Sequence, residues 1–159
     1  MTALDAMFDR NYCVAVGRLA RWCESWAGTP FKWNRCERHR GIDCLRFIIK
    51  GWSEAGWIQW KEDWLPDDTS RWGLEHYLTY LTGNFHVRTV PFDAGFRPGD
   101  LMFLATRYLG TPSVGFLFAY RSWVCYSREG IAWVPNNQIH KQIVRVFRLS
   151  APGWKGVEG

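Results

Sequence analysis

Gly41-Ile42-Asp43-Cys44-Leu45-Arg46-Phe47-Ile48-Ile49-Lys50-Gly51-Trp52 is the stretch on which the reading of this chain turns. Asp43 is a favoured N-cap residue, because its carboxylate can accept a hydrogen bond from a first-turn N–H. The residues behind it have helical spacing, with Phe47, Ile48 and Trp52 on the inward face. Cys44 then falls in the first helical turn, a place where the helix dipole and unpaired N–H groups generally favour a thiolate over a thiol. A cysteine is also a common small buried residue. The glycine before the cap, and Gly28-Thr29-Pro30-Phe31 shortly upstream, favour the nucleophile reading.

Working outward, Asn11 to Trp26 reads as a helix, with Tyr12, Val16, Leu19, Ala20, Cys23 and Trp26 on one side. Cys13 and Cys23 fall near that side and are expected to be buried structural thiols. Gly28 and Pro30 end the helix, and Lys32 to Arg40 reads as a polar loop. The central helix is expected to stop around Gly56. Trp57, Trp60 and Trp64 then follow as a helical stripe that fits core or interface better than a sugar platform. Pro66-Asp67-Asp68 is a turn. Trp72 to Leu81 reads as a further helix, with Leu74, Tyr77, Leu78 and Leu81 on one face and Gly83-Asn84 closing it.

From Phe85 the apolar period changes to two. Strands are expected at His86–Val90, Leu101–Ala105, Val114–Tyr120, Trp123–Tyr126, Ile131–Val134 and Ile143–Leu149, parted by turns such as Pro98-Gly99-Asp100 and Glu129-Gly130. Helices first and an antiparallel sheet afterwards predict an α+β domain. At 159 residues the chain is expected to form a single domain, 1–159, with a core that needs no staples.

With 47% hydrophobic and 22% charged residues the composition is that of a globular protein, not a disordered one. Eleven tryptophans imply extensive aromatic packing or a large contact surface. The net charge of +5 is spread along the chain, and its densest run, Arg35 to Arg40, mixes in Glu37 and His39. A solvated loop explains that run, so nucleic acid is not expected as a partner. No stretch is long and apolar enough for membrane insertion. Five cysteines, with no C-x-x-C pair and no zinc-finger spacing, are read as free thiols of a protein made in a reducing cytosol. The opening residues show neither a basic start nor an apolar run, so no export signal is expected.

Gly28-Thr29-Pro30-Phe31-Lys32-Trp33, Gly41-Ile42-Asp43-Cys44 and Arg97-Pro98-Gly99-Asp100-Leu101, in that order, resemble the NlpC-type cell-wall peptidases. These are papain-like cysteine endopeptidases that cut peptidoglycan stem peptides. The resemblance spans about residues 15–150 and is nearest to the form found in phage tail-tip proteins, which also carry a Trp-rich middle segment. It implies a papain-like fold, N-terminal helices packed on a C-terminal antiparallel sheet, with Cys44 as the nucleophile. A papain-like site also needs an imidazole base and a polar group to orient it. The resemblance places the base in Ser113-Val114-Gly115-Phe116, at Ser113, and the orienting residue at Cys125; neither is a histidine. Phe31 stands where the family usually has tyrosine, and Arg46 where it usually has glycine. Serine cannot serve as a general base near neutral pH, and loss of such a role costs about 10²–10⁴ in rate.

A degenerate site is therefore expected, with His39 the least implausible replacement base among His39, His76, His86 and His140. Three readings follow. The first is a structural or assembly protein of a phage tail tip, located in the virion and partnered by other tail-tip proteins. The second is an active endopeptidase acting through Cys44 on the peptidoglycan stem peptide. The third is a module that binds wall glycan or a metal held by Cys36, Cys44 and Cys125; the primary expectation is no cofactor and no metal.

Overall fold

The computed structural model describes residues 3–59, 65–105 and 111–154. Helix α1 is Ala3–Ser25, followed by two short strands, β1 (Cys36–Glu37) and β2 (Gly41–Ile42), and by helix α2 (Cys44–Glu54). Helix α3 (Leu74–Asn84) leads into β3 (Phe85–Thr89), β4 (Leu101–Leu104), β5 (Ser113–Phe116), β6 (Arg121–Tyr126) and β7 (Gly130–Pro135). A four-residue helix, α4 (Asn136–Ile139), and one 3-10 turn precede the last strand, β8 (Ile143–Trp154). The protein is thus α+β, as expected. Six strands form one antiparallel sheet in the order β3-β8-β4-β5-β6-β7.

Helix α2 is the centre of the packing. Asp43 caps it as the sequence predicts, its Oδ1 accepting the Arg46 N–H at 2.9 Å. Cys44 through Ile49, Gly51 and Trp52 are all buried, which marks a helix enclosed on every side rather than one lying on a surface. Full burial of Phe47, Ile48 and Trp52 contributes about 1.5–3 kcal/mol for each ordinary apolar side chain. Gly51 lets the helix sit close on the sheet, since a Cβ there would lie 2.6 Å from the Phe116 ring.

The sheet has two apolar faces. Phe103, Val114, Phe116, Trp123, Cys125 and Phe147 share one core with α1 and α2. Met102, Leu104, Val124 and Val146 alternate with them and form a second core with Val90, Leu117 and Ile139. Asp100 pins the start of β4: it accepts the Arg97 N–H at 2.9 Å and takes a two-pronged bond from Arg148 at 2.8 and 2.7 Å.

Several expectations are corrected. Helix α1 begins at Ala3, not near Asn11; its buried stripe is Ala15, Leu19, Trp22 and Cys23, and Trp26 in the turn after it is buried too. Cys13 lies on the opposite side and is exposed, while Cys23 is buried. Lys32 to Arg40 is not all loop, because Cys36–Glu37 pairs with Gly41–Ile42. Helix α3 starts at Leu74 and contains Gly83 and Asn84. β5 ends at Phe116, the following residues making the turn into β6. Trp57 sits in a turn after α2, half-buried, with its ring 2.8 Å from where a Gly99 Cβ would be. Trp60 and Trp64 lie outside the described residues.

Candidate functional site

Asp43 organises the approach to Cys44. Beside its cap bond, its Oδ2 accepts the Asn34 N–H at 2.7 Å and pairs with the Arg46 guanidinium at 2.7 Å. Burial raises the Asp43 carboxyl above its ordinary range, opposed by the Arg46 and Asn34 N–H bonds and by the Arg46 charge. Arg46 therefore faces its own cap, not the thiol. It is nearly fully buried, and its second nitrogen reaches the Pro66 carbonyl at 3.5 Å.

Cys44 has no exposed surface. Its Sγ lies 3.5 Å from the Pro112 carbonyl oxygen and 3.7 Å from that of Cys125, and its thiol also meets the Cys125 thiol. Both carbonyls can accept an S–H, and neither can carry its proton away. Cys125 is likewise fully buried, and that burial, then the Cys44 thiol beside it, push its ionisation well above the usual thiol range. The structure thus brings Cys44 and Cys125 together.

It does not bring Ser113 to them. Ser113 pairs with Leu104, and its strand neighbour Gly115 with Met102 and Val124, all in the second core. Val114, paired with Cys125, faces α2 instead. The Ser113 hydroxyl is engaged by Ser127, accepting its N–H at 3.0 Å. Ser113 as the position facing the nucleophile is corrected by this register, since side chains on a strand alternate. Phe31 bridges to Ile42, meets Trp33 edge-on at 4.7 Å and packs against the core cluster that includes Cys44.

All four histidines are exposed. His39, in the left-handed region at φ 67°, donates its N–H to Thr29 Oγ1 at 3.0 Å. His76 Nδ1 accepts the Gly73 N–H at 3.2 Å, and its ring stacks on Trp72. His86 is on the edge strand β3, and His140 Nδ1 lies 3.1 Å from the Asn137 carbonyl. None of them hydrogen-bonds Cys44 among the described residues. Nor, among those residues, do three His, Cys, Asp or Glu side chains gather to hold a metal ion. Cys36, half-buried on β1, does not complete a ligand set with Cys44 and Cys125.

One residue of the site escaped the sequence reading. Tyr77, on α3, is fully buried, and its hydroxyl has no hydrogen-bond partner among the described residues. Its ionisation is pushed far up, by burial first and then by Cys44, Asp43 and Cys125 around it, with Arg46 opposing. Helix α3 thus places a buried aromatic side chain in the electrostatic neighbourhood of Cys44, Asp43 and Cys125. Tyr77 was placed on the apolar face of its helix; nothing local marks which end of α2 that face would meet. What remains is an enclosed thiol pair that no imidazole reaches among the described residues.

A scan against models of known protein families finds no match to this chain, and no curated protein matches it.

Proposed function

We propose that this chain is a structural or assembly component of a phage tail tip, built on a papain-like NlpC-type domain that no longer cleaves peptide. The order of motifs supports the family, as does a cysteine in the first turn of a helix packed on an antiparallel sheet. The observation that carries the loss of activity is the enclosure of Cys44, fully buried under Tyr77 with carbonyls and a second thiol for neighbours. A peptidase nucleophile needs a base within hydrogen-bond reach and access for the scissile carbonyl; Cys44 has no exposed surface, and among the described residues no histidine bonds it.

The test is cleavage of peptidoglycan fragments by the wild type, Cys44→Ala and Ser113→His. No turnover is expected from any of them, including Ser113→His, whose imidazole would point into the Leu104–Met102 layer. Cleavage by the wild type that disappears in Cys44→Ala would sink the proposal. For the tail-tip placement, mass spectrometry of purified particles should find the chain together with tail proteins; its absence from particles would remove that part of the reading.

A further inference from the structure

Two of the five cysteines meet only in the folded chain. Cys44 opens α2, and Cys125 lies on β6, 81 positions later. Cys125 faces the helix, because it alternates with Val124 of the second core and shares the first core with Cys44. The Cys44 Sγ stands 3.7 Å from the Cys125 carbonyl oxygen, and the two thiols are in contact. Both residues are fully buried.

The surroundings give this pair little use as thiols. The Cys44 S–H has carbonyl oxygens to bond, on Pro112 at 3.5 Å and on Cys125 at 3.7 Å, and sulfur is a weak donor. Among the described residues no third His, Cys, Asp or Glu joins them to hold a metal ion. Cys23 also lies within electrostatic range of Cys125, but Cys44 is the thiol that bonds it. A disulfide in the same place needs no donor, acceptor or counter-charge. It also takes two weakly bonded S–H groups out of an apolar core.

We infer that Cys44 and Cys125 are a cross-linking site, converted from a thiol pair to a disulfide by hydrogen peroxide. Peroxide takes two electrons from one sulfur, leaving a sulfenic acid and releasing water. The second sulfur then attacks the first: the S–S bond forms, the S–OH bond breaks, and the hydroxide leaves with the second thiol proton as water. Two thiols and one peroxide thus give one disulfide and two waters. Because both thiols are enclosed, the reaction waits for local opening of the structure and trails that of exposed Cys13. The bond ties the first turn of α2 to β6 and closes a long loop, and long loops are where a disulfide restricts the unfolded chain most. A chain made in a reducing cytosol keeps the pair reduced, and a particle leaving that compartment carries it into oxidising surroundings. Only that timing rests on the tail-tip reading; the bond itself depends on the two thiols.

The test exposes the purified full chain to hydrogen peroxide until Cys13 is fully oxidised, with and without urea below the unfolding transition. Remaining thiols are then blocked in denaturant and the peptides mapped by mass spectrometry. Peptides carrying Cys44 and Cys125 should appear joined, two hydrogens lighter, and separate again in dithiothreitol. The oxidised protein should melt roughly 5–15 °C above the reduced one, a rise that dithiothreitol reverses. Cys125→Ala should show neither the link nor the rise. Should that variant fail to fold, the wild-type map and its reversible melting shift decide alone. Cys44 and Cys125 still open to alkylation in both arms, Cys125 joined to Cys23 instead, or a link that lowers the melting temperature would each overturn the inference. Peptidoglycan cleavage and particle composition are not read by this experiment, so the cross-link and the tail-tip reading fail separately.

Discussion

Replacing Tyr77 with phenylalanine should make this protein more stable. The hydroxyl removed is fully buried and has no hydrogen-bond partner among the described residues. Burying such a group unsatisfied costs about 1–3 kcal/mol. The phenylalanine ring keeps the edge-on contact with Trp72 at 5.3 Å and the Phe103 contact at 6.0 Å, so little packing is lost. A net gain of about 1 kcal/mol is expected once the small void is counted. For a domain of this size that is about 2–4 °C in Tm. Urea titration should show a higher midpoint with an unchanged slope, the mark of altered stability rather than altered compactness. Native-state alkylation, mapped by mass spectrometry, should modify exposed Cys13 and leave Cys44 untouched in both proteins. The contrasting variant, Tyr77→Ala, should lose about 3–5 kcal/mol and let Cys44 react. A Tyr77→Phe protein less stable than wild type would refute the reasoning, because the hydroxyl would then be bonded to the thiol pair it faces.

Other outcomes follow from the ion pairs and caps. Asp43→Ala removes the α2 cap and strands the buried Arg46 guanidinium, so a loss of about 3–5 kcal/mol is expected in urea unfolding. Arg148→Ala leaves Asp100 buried and without its cation, and a similar calorimetric loss of about 3 kcal/mol is expected. Asp68 accepts bonds from the Ser70 N–H and from Asn34, which lower its carboxyl to about 2 from an ordinary 3.8. Its contribution is fully present above pH 3.8 and lost as pH falls toward 2, so Asp68→Ala should flatten the acid side of the stability profile in that window.

How much of this was legible from residues alone varies with the range of the interaction. Helix α2 was legible because Asp43 supplies a local cap and the apolar run behind it is unbroken. The strands from Phe85 onward were legible through their turn residues. The β1–β2 hairpin was not, since two-residue strands have no period to read. Cys13 was misjudged because Tyr12 and Val16 frame it with apolar neighbours, whereas the deep stripe runs through Ala15, Leu19 and Trp22. The face of Ser113 was hidden for a related reason: all four residues of β5 are buried, so the alternation carries no phase. Only cross-strand pairing with Leu104 and Cys125 settles which side chains meet α2. Tyr77 depends on how α3 docks, a contact between segments more than thirty positions apart.

The place of β8 has a consequence for how this protein is made. It follows every other strand in sequence yet lies between β3 and β4, bonded to both. While the ribosome is still upstream of Ile143, β3 has no partner and β4 has only β5, leaving apolar edges unpaired. The sheet can therefore close only after the final strand emerges, and long-range pairing of that kind folds slowly and exposes its intermediates. A chain broken off before β8 cannot complete this sheet and leaves the β3 and β4 edges open to wrong pairing.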